Sequence, residues 1–324
     1  MPARNEEQHI AAALRSIAAL EYDNLEVLVV DDRSTDQTAA LVEEVIRAHA
    51  DARIRILKAP SEPPEGWVGK TFAVDYAIKK SSGEIILVCD ADAVHTPQSL
   101  HNVVSYFQEH RLDLLSLLPH FDIRSWTEYP LLFQTFLLYT SSGIARSLGS
   151  RQSFGMGTYF MFTRDFYNRS GGWSAHREYP ESLPLINYCI RNGGAFTFLH
   201  DRSLVTARMH DGAAKTFWGL VRNSNFSLLQ PLPLAIFVSY MALFAAALKY
   251  TLVGNPLGLI ILVVMIGLFV AHLARSGYSI RVIIVASALS PIMPLYLLAV
   301  AVTALARHLF GISMSWRGRR LRPQ

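Results

Sequence analysis

The 324-residue chain holds two cysteines, Cys89 and Cys189, each inside an apolar or mixed run. That scarcity argues against a disulfide framework or a zinc cluster and for a reducing compartment. Acidic residues stop altogether at Asp211. The opening Met1-Pro2-Ala3-Arg4-Asn5-Glu6-Glu7 has no hydrophobic core, so no cleavable secretory signal is expected. No internal repeat or low-complexity tract stands out.

The missing acids divide the chain. Through residue 231 there are 26 Asp and Glu against 22 Lys and Arg; beyond it stand eight Lys and Arg and no acid. The net charge of +4 is therefore the difference between a mildly acidic part and an apolar, basic-edged one. It is not the footprint of a nucleic-acid binder, and no nucleic acid is expected as partner.

What is present centres on Glu84-Ile85-Ile86-Leu87-Val88-Cys89-Asp90-Ala91-Asp92-Ala93. Five apolar residues run into two carboxylates, which predicts a strand buried on both faces. On a strand, Asp90 and Asp92 point the same way at its carboxyl end, where open α/β sheets bind ligands. Two such carboxylates about 4 Å apart repel by roughly 4 kcal/mol at an effective dielectric of 20, so a cation between them is favoured. A hard divalent ion shared with substrate phosphates suits that pair.

The rest of the first part alternates strand and helix. Residues 2–7 read as a strand end and a helix start, with Asn5 as N-cap and the body of the strand preceding Met1. Leu25–Val30 is a strand ending at Asp31-Asp32, residues 34–49 a helix, Arg53–Leu57 a strand and Thr71–Lys80 a helix. The βαβαβ order implies an α/β fold with a mostly parallel, doubly wound sheet. Residues 126–148 are too interrupted to span a bilayer and fit a helix on the membrane surface or against the core.

From Leu232 the composition changes. Leu232–Val253 and Pro256–Ala274 approach the ~20 apolar residues of a membrane helix. Ile280–Ala306 is a third run, broken by Pro291 and Pro294. The expected organisation is a domain over 1–230, two or three membrane helices over 231–310 and a basic tail over 311–324. The first domain is expected in the cytosol. Arg307, Arg317, Arg319, Arg320 and Arg322 favour the same side for the tail. Three full crossings would put them opposite, so the third run is expected to be re-entrant or interfacial.

Pro2-Ala3-Arg4-Asn5-Glu6, Val29-Val30-Asp31-Asp32-Arg33-Ser34-Thr35-Asp36, Gly66-Trp67-Val68-Gly69-Lys70 and Asp90-Ala91-Asp92 resemble, in order, the membrane-bound family-2 glycosyltransferases of GT-A fold. The Gly-Trp-x-Gly-Lys element and Ser315-Trp316-Arg317-Gly318-Arg319 are most similar to the ceramide glucosyltransferase and hopanoid-associated branch. The resemblance implies a nucleotide-sugar donor, uridine-linked, a divalent metal (Mg2+ or Mn2+) and a membrane lipid acceptor. It implies base and ribose contacts at Asp31 and Asp32, metal and donor contacts at Asp90 and Asp92, with Asp92 the direct ligand, and Lys70 near the diphosphate. Each has a plainer reading: Asp31 and Asp32 as caps, Lys70 as a solvated helix-start lysine, Trp67 as core packing.

The family's catalytic aspartate matches Ser182 in Tyr179-Pro180-Glu181-Ser182-Leu183, and serine takes no proton near neutral pH. Glu181 is then the candidate base and Glu178 the runner-up. Of the Gln-x-x-Arg-Trp motif of processive members only Trp218 matches, so the resemblance implies transfer of a single sugar. A processive polysaccharide synthase and a degenerate, non-catalytic lipid-binding homologue are the alternatives. His95, just past Asp92, reads as a loop residue or as a group facing the metal.

Overall fold

The computed structural model describes residues 1–147, 155–177, 182–227, 231–316 and 319–321. They divide into two compact units, 1–122 with 151–209, and 123–150 with 210–324. Residues 123–150 and 210–230, which the sequence groups with the first domain, belong to the second unit.

The first unit begins with β1 (Pro2–Ala3), α1 (Ile10–Ala18), β2 (Val27–Asp31), α2 (Thr38–His49) and β3 (Ile54–Lys58). Strands β1, β2 and β3 form a parallel sheet in that order. Ile10, Ala13, Leu14 and Ile17, three and four apart on α1, are all buried, as an amphipathic helix on a sheet requires. The loops after β1 and β2 zip together. Asn5 Oδ1 accepts from Thr35 N at 2.8 Å, Glu6 N donates to Thr38 Oγ1 at 2.7 Å, and Gln37 N donates to Glu7 Oε2 at 3.2 Å. Asn5 therefore does not cap α1. It sits in the left-handed region (φ 52°) and clamps the neighbouring loop instead.

Then come α3 (Gly69–Lys80), β4 (Ile85–Cys89), β5 (Ala93–His95), α4 (Ser99–Glu109), β6 (Leu114–Leu118) and β7 (His120–Phe121). After α5 (Tyr129–Ser147), which lies in the second unit, follow β8 (Tyr159–Thr163), α6 (Arg164–Ser170), α7 (Gly172–Ala175), α8 (Ser182–Arg191), β9 (Phe196–His200) and β10 (Val205–Ala207). The second sheet has the order β4-β8-β6-β9, with β8 antiparallel to both neighbours and β9 parallel to β6. A small third sheet runs β5-β10-β7.

Two expectations about the Glu84–Ala93 stretch change. Strand β4 pairs with β8 along one edge, and residues of β4 and β2 line a cavity of about 620 Å³. Ile85, Ile86 and Leu87 are accordingly only half-buried, while Val88 and Cys89 are buried. The strand also ends before the carboxylates. Asp90 N still donates to Thr158 O, but Ala93 N turns back to Asp90 O at 3.3 Å. Asp90 and Asp92 thus belong to a turn, and strand alternation does not set their directions.

The second unit holds α5, α9 (Gly212–Ser227), α10 (Pro231–Leu252), α11 (Pro256–Arg275), α12 (Ile280–Leu289), α13 (Met293–Leu309) and the hairpin β11 (Met314–Trp316) and β12 (Arg319–Leu321). Residues 234–252 and helix α11 are long and apolar enough to cross a membrane; α12 and α13 form a pair bent by 70°. Leu259, Ile260, Val263, Val264 and Leu268 of α11 are each more than half exposed, an arrangement suited to lipid. On its inner side Phe269 meets Phe133 and Phe136 of α5, ring centres 5.3 and 5.5 Å apart.

Candidate functional site

The candidate site is built on the carboxyl ends of β2 and β4. Helix α3 leads into β4 and packs against β1 and β2, and its first turn carries Lys70. Lys70 Nζ lies 2.7 Å from Asp90 Oδ1 and donates to Gly157 O at 3.2 Å. The structure thus joins two candidate residues twenty positions apart in sequence. It also shows why Lys70 is not a free surface lysine: three-quarters of its side chain is covered.

Asp31 and Asp32 are buried. Asp31 Oδ1 accepts from Ser34 N at 3.1 Å, which ties the turn after β2. Asp32 Oδ1 is 2.9 Å from Arg33 Nη2, and Arg33 reaches on to Glu62 at 2.9 Å. Neither aspartate caps α2; just before the helix, Asp36 Oδ1 accepts from Thr38 N and Oγ1 and closes the turn into it. Arg33 takes a left-handed backbone (φ 56°), so the stretch after Asp32 is held away from ordinary extended geometry.

Asp92 Oδ1 is buried, and Arg208 N donates to the Asp92 carbonyl at 3.2 Å. Among the described residues no group of three or more His, Cys, Asp or Glu forms a metal cage. Two carboxylates in one turn are still of the kind Mg2+ or Mn2+ takes, such ions binding one or two carboxylates and completing their shell with water and substrate phosphate oxygens. The residues present fit such an ion.

His95 is buried, and its ring nitrogens have no hydrogen-bond partner. Burial pushes its pKa down to about 4, so it is neutral near pH 7. Its ring lies 5.7 Å from that of Tyr159, and it lines the cavity shared with β2 and β4. Burial also lowers the pKa of His200, helped by neighbouring His120.

Ser182 is buried at the start of α8, its Oγ donating to Gly155 O at 3.4 Å. It lines, with Lys70, Thr71, Gly157 and Trp173, a void of about 10 Å³, room for one water. Glu178 and Glu181 lie outside the described residues. Arg177, just before them, stacks its guanidinium 5.0 Å from the ring centre of Trp67. Trp218 belongs to the second unit, half-exposed on α9, and its ring receives Arg307 at 5.8 Å.

Sequence reasoning missed the support around Lys70. Ser116 Oγ donates to Met156 O and accepts from Met156 N, at 2.9 and 2.8 Å, fixing the segment that supplies Gly157. A Cβ on Gly155 would collide with Ile186 Cδ1. The Gly155-Met156-Gly157 spacing was visible, but its partner Ser116 lies forty residues away.

The family model for Glycosyl transferase family 2 matches residues 1–171. Probable glycosyltransferase YdaM of Bacillus subtilis (strain 168) is 35% identical over 102 residues, 31% of this chain and 23% of that protein. Beta-monoglucosyldiacylglycerol synthase of Nostoc sp. (strain PCC 7120) is 33% identical over 112 residues, 34% of this chain and 23% of that protein. The match thus spans under a quarter of the length of these curated relatives. Among solved structures, mannosyltransferase PcManGT from Pyrobaculum calidifontis, in complex with GDP-Man and Mn2+, superposes with a TM-score of 0.56 at 19% identity, over 94% of this chain and 85% of that one.

Proposed function

Because this chain belongs to glycosyl transferase family 2 and has the GT-A fold, we propose that it transfers one sugar from a nucleoside diphosphate sugar to a membrane lipid hydroxyl. The observation that carries the reading is the Lys70–Asp90 pair beside Asp92 at the end of β4. A cation and two carboxylates there suit a diphosphate and a divalent ion together. Lys70 also sits in the first turn of α3, where unbonded N–H groups and the helix dipole favour an anion.

In this reading Asp31 and Asp32 hold the base and ribose, and Asp92 with Asp90 holds Mg2+ or Mn2+. The ion would offset the charge gathering on the departing diphosphate. Lys70 leaves Asp90 for the phosphate oxygens as the donor enters. The acceptor oxygen bonds to the anomeric carbon while the bond from that carbon to the diphosphate breaks. Glu181, or failing it Glu178, takes the acceptor proton. Buried Ser182, bonded to Gly155 O, has no part in proton transfer.

The lipid acceptor draws support from α10 and α11, both apolar enough to cross a membrane, and from the glucosyldiacylglycerol synthase named above. We place the chain in the cytoplasmic membrane, with the residues before α10 in the cytosol. The two free, buried cysteines suit that compartment. The uridine-linked donor rests on the family resemblance, and the guanosine-linked donor of PcManGT is its competitor.

The test incubates membranes holding the protein with labelled UDP- and GDP-sugars and extracts the lipids. One labelled lipid of fixed mass, lost in Asp92→Ala, is the expected result. A polymer would convict the single-transfer reading. Ser182 favours a second reading, a non-catalytic lipid-binding homologue: no product from any donor, with Ser182→Asp equally silent, would select it.

A further inference from the structure

Helix α13 is apolar on two sides. Leu297, Val300 and Ala304 are buried, whereas Leu295, Leu298, Val302, Leu305 and Leu309 are exposed. The exposed set recurs every three or four residues and so forms one stripe along the helix. Leaving each such side chain in water forgoes roughly 1.5–3 kcal/mol. No charged residue occurs between Arg281 and Arg307.

Length does not decide whether α12 and α13 cross the membrane or return. Their 10 and 17 residues amount to about 40 Å of helix, enough for either course. The contacts of α13 do decide. Its first turn reaches α9 through Tyr296, edge-on to Phe217 with ring centres 5.8 Å apart. Its last turn reaches the same place through Arg307, 5.8 Å from the ring centre of Trp218. The stretch from Tyr296 to Arg307, about 16 Å of helix, is thus tied at both ends to one residue pair on α9. An upright crossing would carry one end to the far face. Helix α9 bears Lys215 and Arg222 and directly precedes α10, so it stays on the face where the chain enters.

The break between α12 and α13 is also fit for membrane depth. Ser290 is buried, Ser290 N donates to Ser287 O, Ile292 N to Leu289 O and Met293 N to Ser290 O. Backbone that leaves the helix inside a bilayer must be satisfied in this way.

We propose that α12 and α13 enter and leave the membrane by one face, with α13 lying in that leaflet along α9. The stripe from Leu295 to Leu309 then faces acyl chains, and among the described residues the crossings are α10 and α11. The inference rests on those two crossings.

Single cysteines test both parts, since the two native cysteines are buried and give little labelling background. In sealed vesicles of known orientation, Ile280→Cys and Ser313→Cys should react with an impermeant maleimide from one face and Val253→Cys from the other. Ser313→Cys reacting with the Val253 face overturns the return of the chain. Val253→Cys reacting with the Ile280 face removes the two crossings themselves, and the proposal with them. A topology reporter fused after Gln324 repeats the reading without altering a helix; an extracytoplasmic signal overturns it. For the leaflet, a nitroxide on Val302→Cys should collide several-fold more with oxygen than with a water-soluble nickel chelate. The reverse order overturns the lipid contact.

Discussion

Helices α1 and α11 draw on the same aliphatic residues and use them in opposite ways. On α1, Ile10, Leu14 and Ile17 turn inward and leave Arg15 to the solvent side. On α11, Phe269 and Leu273 turn inward, yet Leu259, Ile260, Val263, Val264 and Leu268 turn outward. Under the proposed membrane setting the difference is one of solvent. In water an outward leucine forgoes its transfer free energy; in hydrocarbon it loses nothing and an outward charge becomes the costly group. The two units are therefore governed by opposite rules for the same side chain.

The largest expected effect isolates the chemistry of the first unit from the membrane character of the second. Asp92→Ala should lower transfer by at least about 10³-fold, roughly 4 kcal/mol, while membrane integration stays as in the parent. Activity within tenfold of the parent, in the lipid-extraction assay, would remove Asp92 from the site.

Next in size, Leu14→Ala should cost roughly 2–5 kcal/mol of stability, because α1 is packed on all of its inner face. Chemical denaturation of the purified protein checks it. Its counterpart is Val263→Arg, at an outward position of α11. Facing lipid, that arginine costs about 3 kcal/mol on an insertion scale. Facing water, it would be neutral within about 0.5 kcal/mol. A neutral result in a membrane-insertion assay breaks the comparison between the units.

A pH effect is expected from the first unit. His95 has a folded pKa of about 4, below the 6.5 of the unfolded chain. The unfolded state binds the proton first, so the contribution of His95 is full above pH 6.5, falls between 6.5 and 4, and is gone below. The loss is about 3 kcal/mol at the acid end. Thermal unfolding across that range should show the slope, and His95→Leu should reduce it, leaving the part that belongs to His200. An unchanged slope would place the sensitivity elsewhere. The smallest effect concerns Arg177→Ala, which removes a partly exposed cation from Trp67 and should cost about 0.5–1 kcal/mol.

Much of the first unit was legible because short-range pattern carries strands and helices. Strands β2 and β3 and helix α3 fall within two residues of the ranges read from periodicity and turn signals, whereas α2 starts four residues later than read. The candidate site was legible only as a set of residue types. Asp90 and Asp92 were read as a continuing strand, since nothing local reveals the hydrogen bond from Ala93 N back to Asp90 O. Lys70 was found by its motif, but its partner Asp90 required α3 to be laid beside β4. Trp218 was singled out for a donor, and the contact it makes is with Arg307, whose side chain comes from a helix beginning seventy-five residues later.

By itself the sequence determined which segments are apolar, which are acidic, and where the order of strands and helices gives way to membrane-length runs. These follow from composition and period, which the chain carries before it folds. Tertiary structure alone decided which carboxylate Lys70 meets, how the Asp90-to-Asp92 turn is closed, and that both ends of α13 reach α9. Those outcomes depend on contacts between residues far apart in the chain. Their energy appears only after packing has brought the partners together and the loop-closure entropy has been overcome.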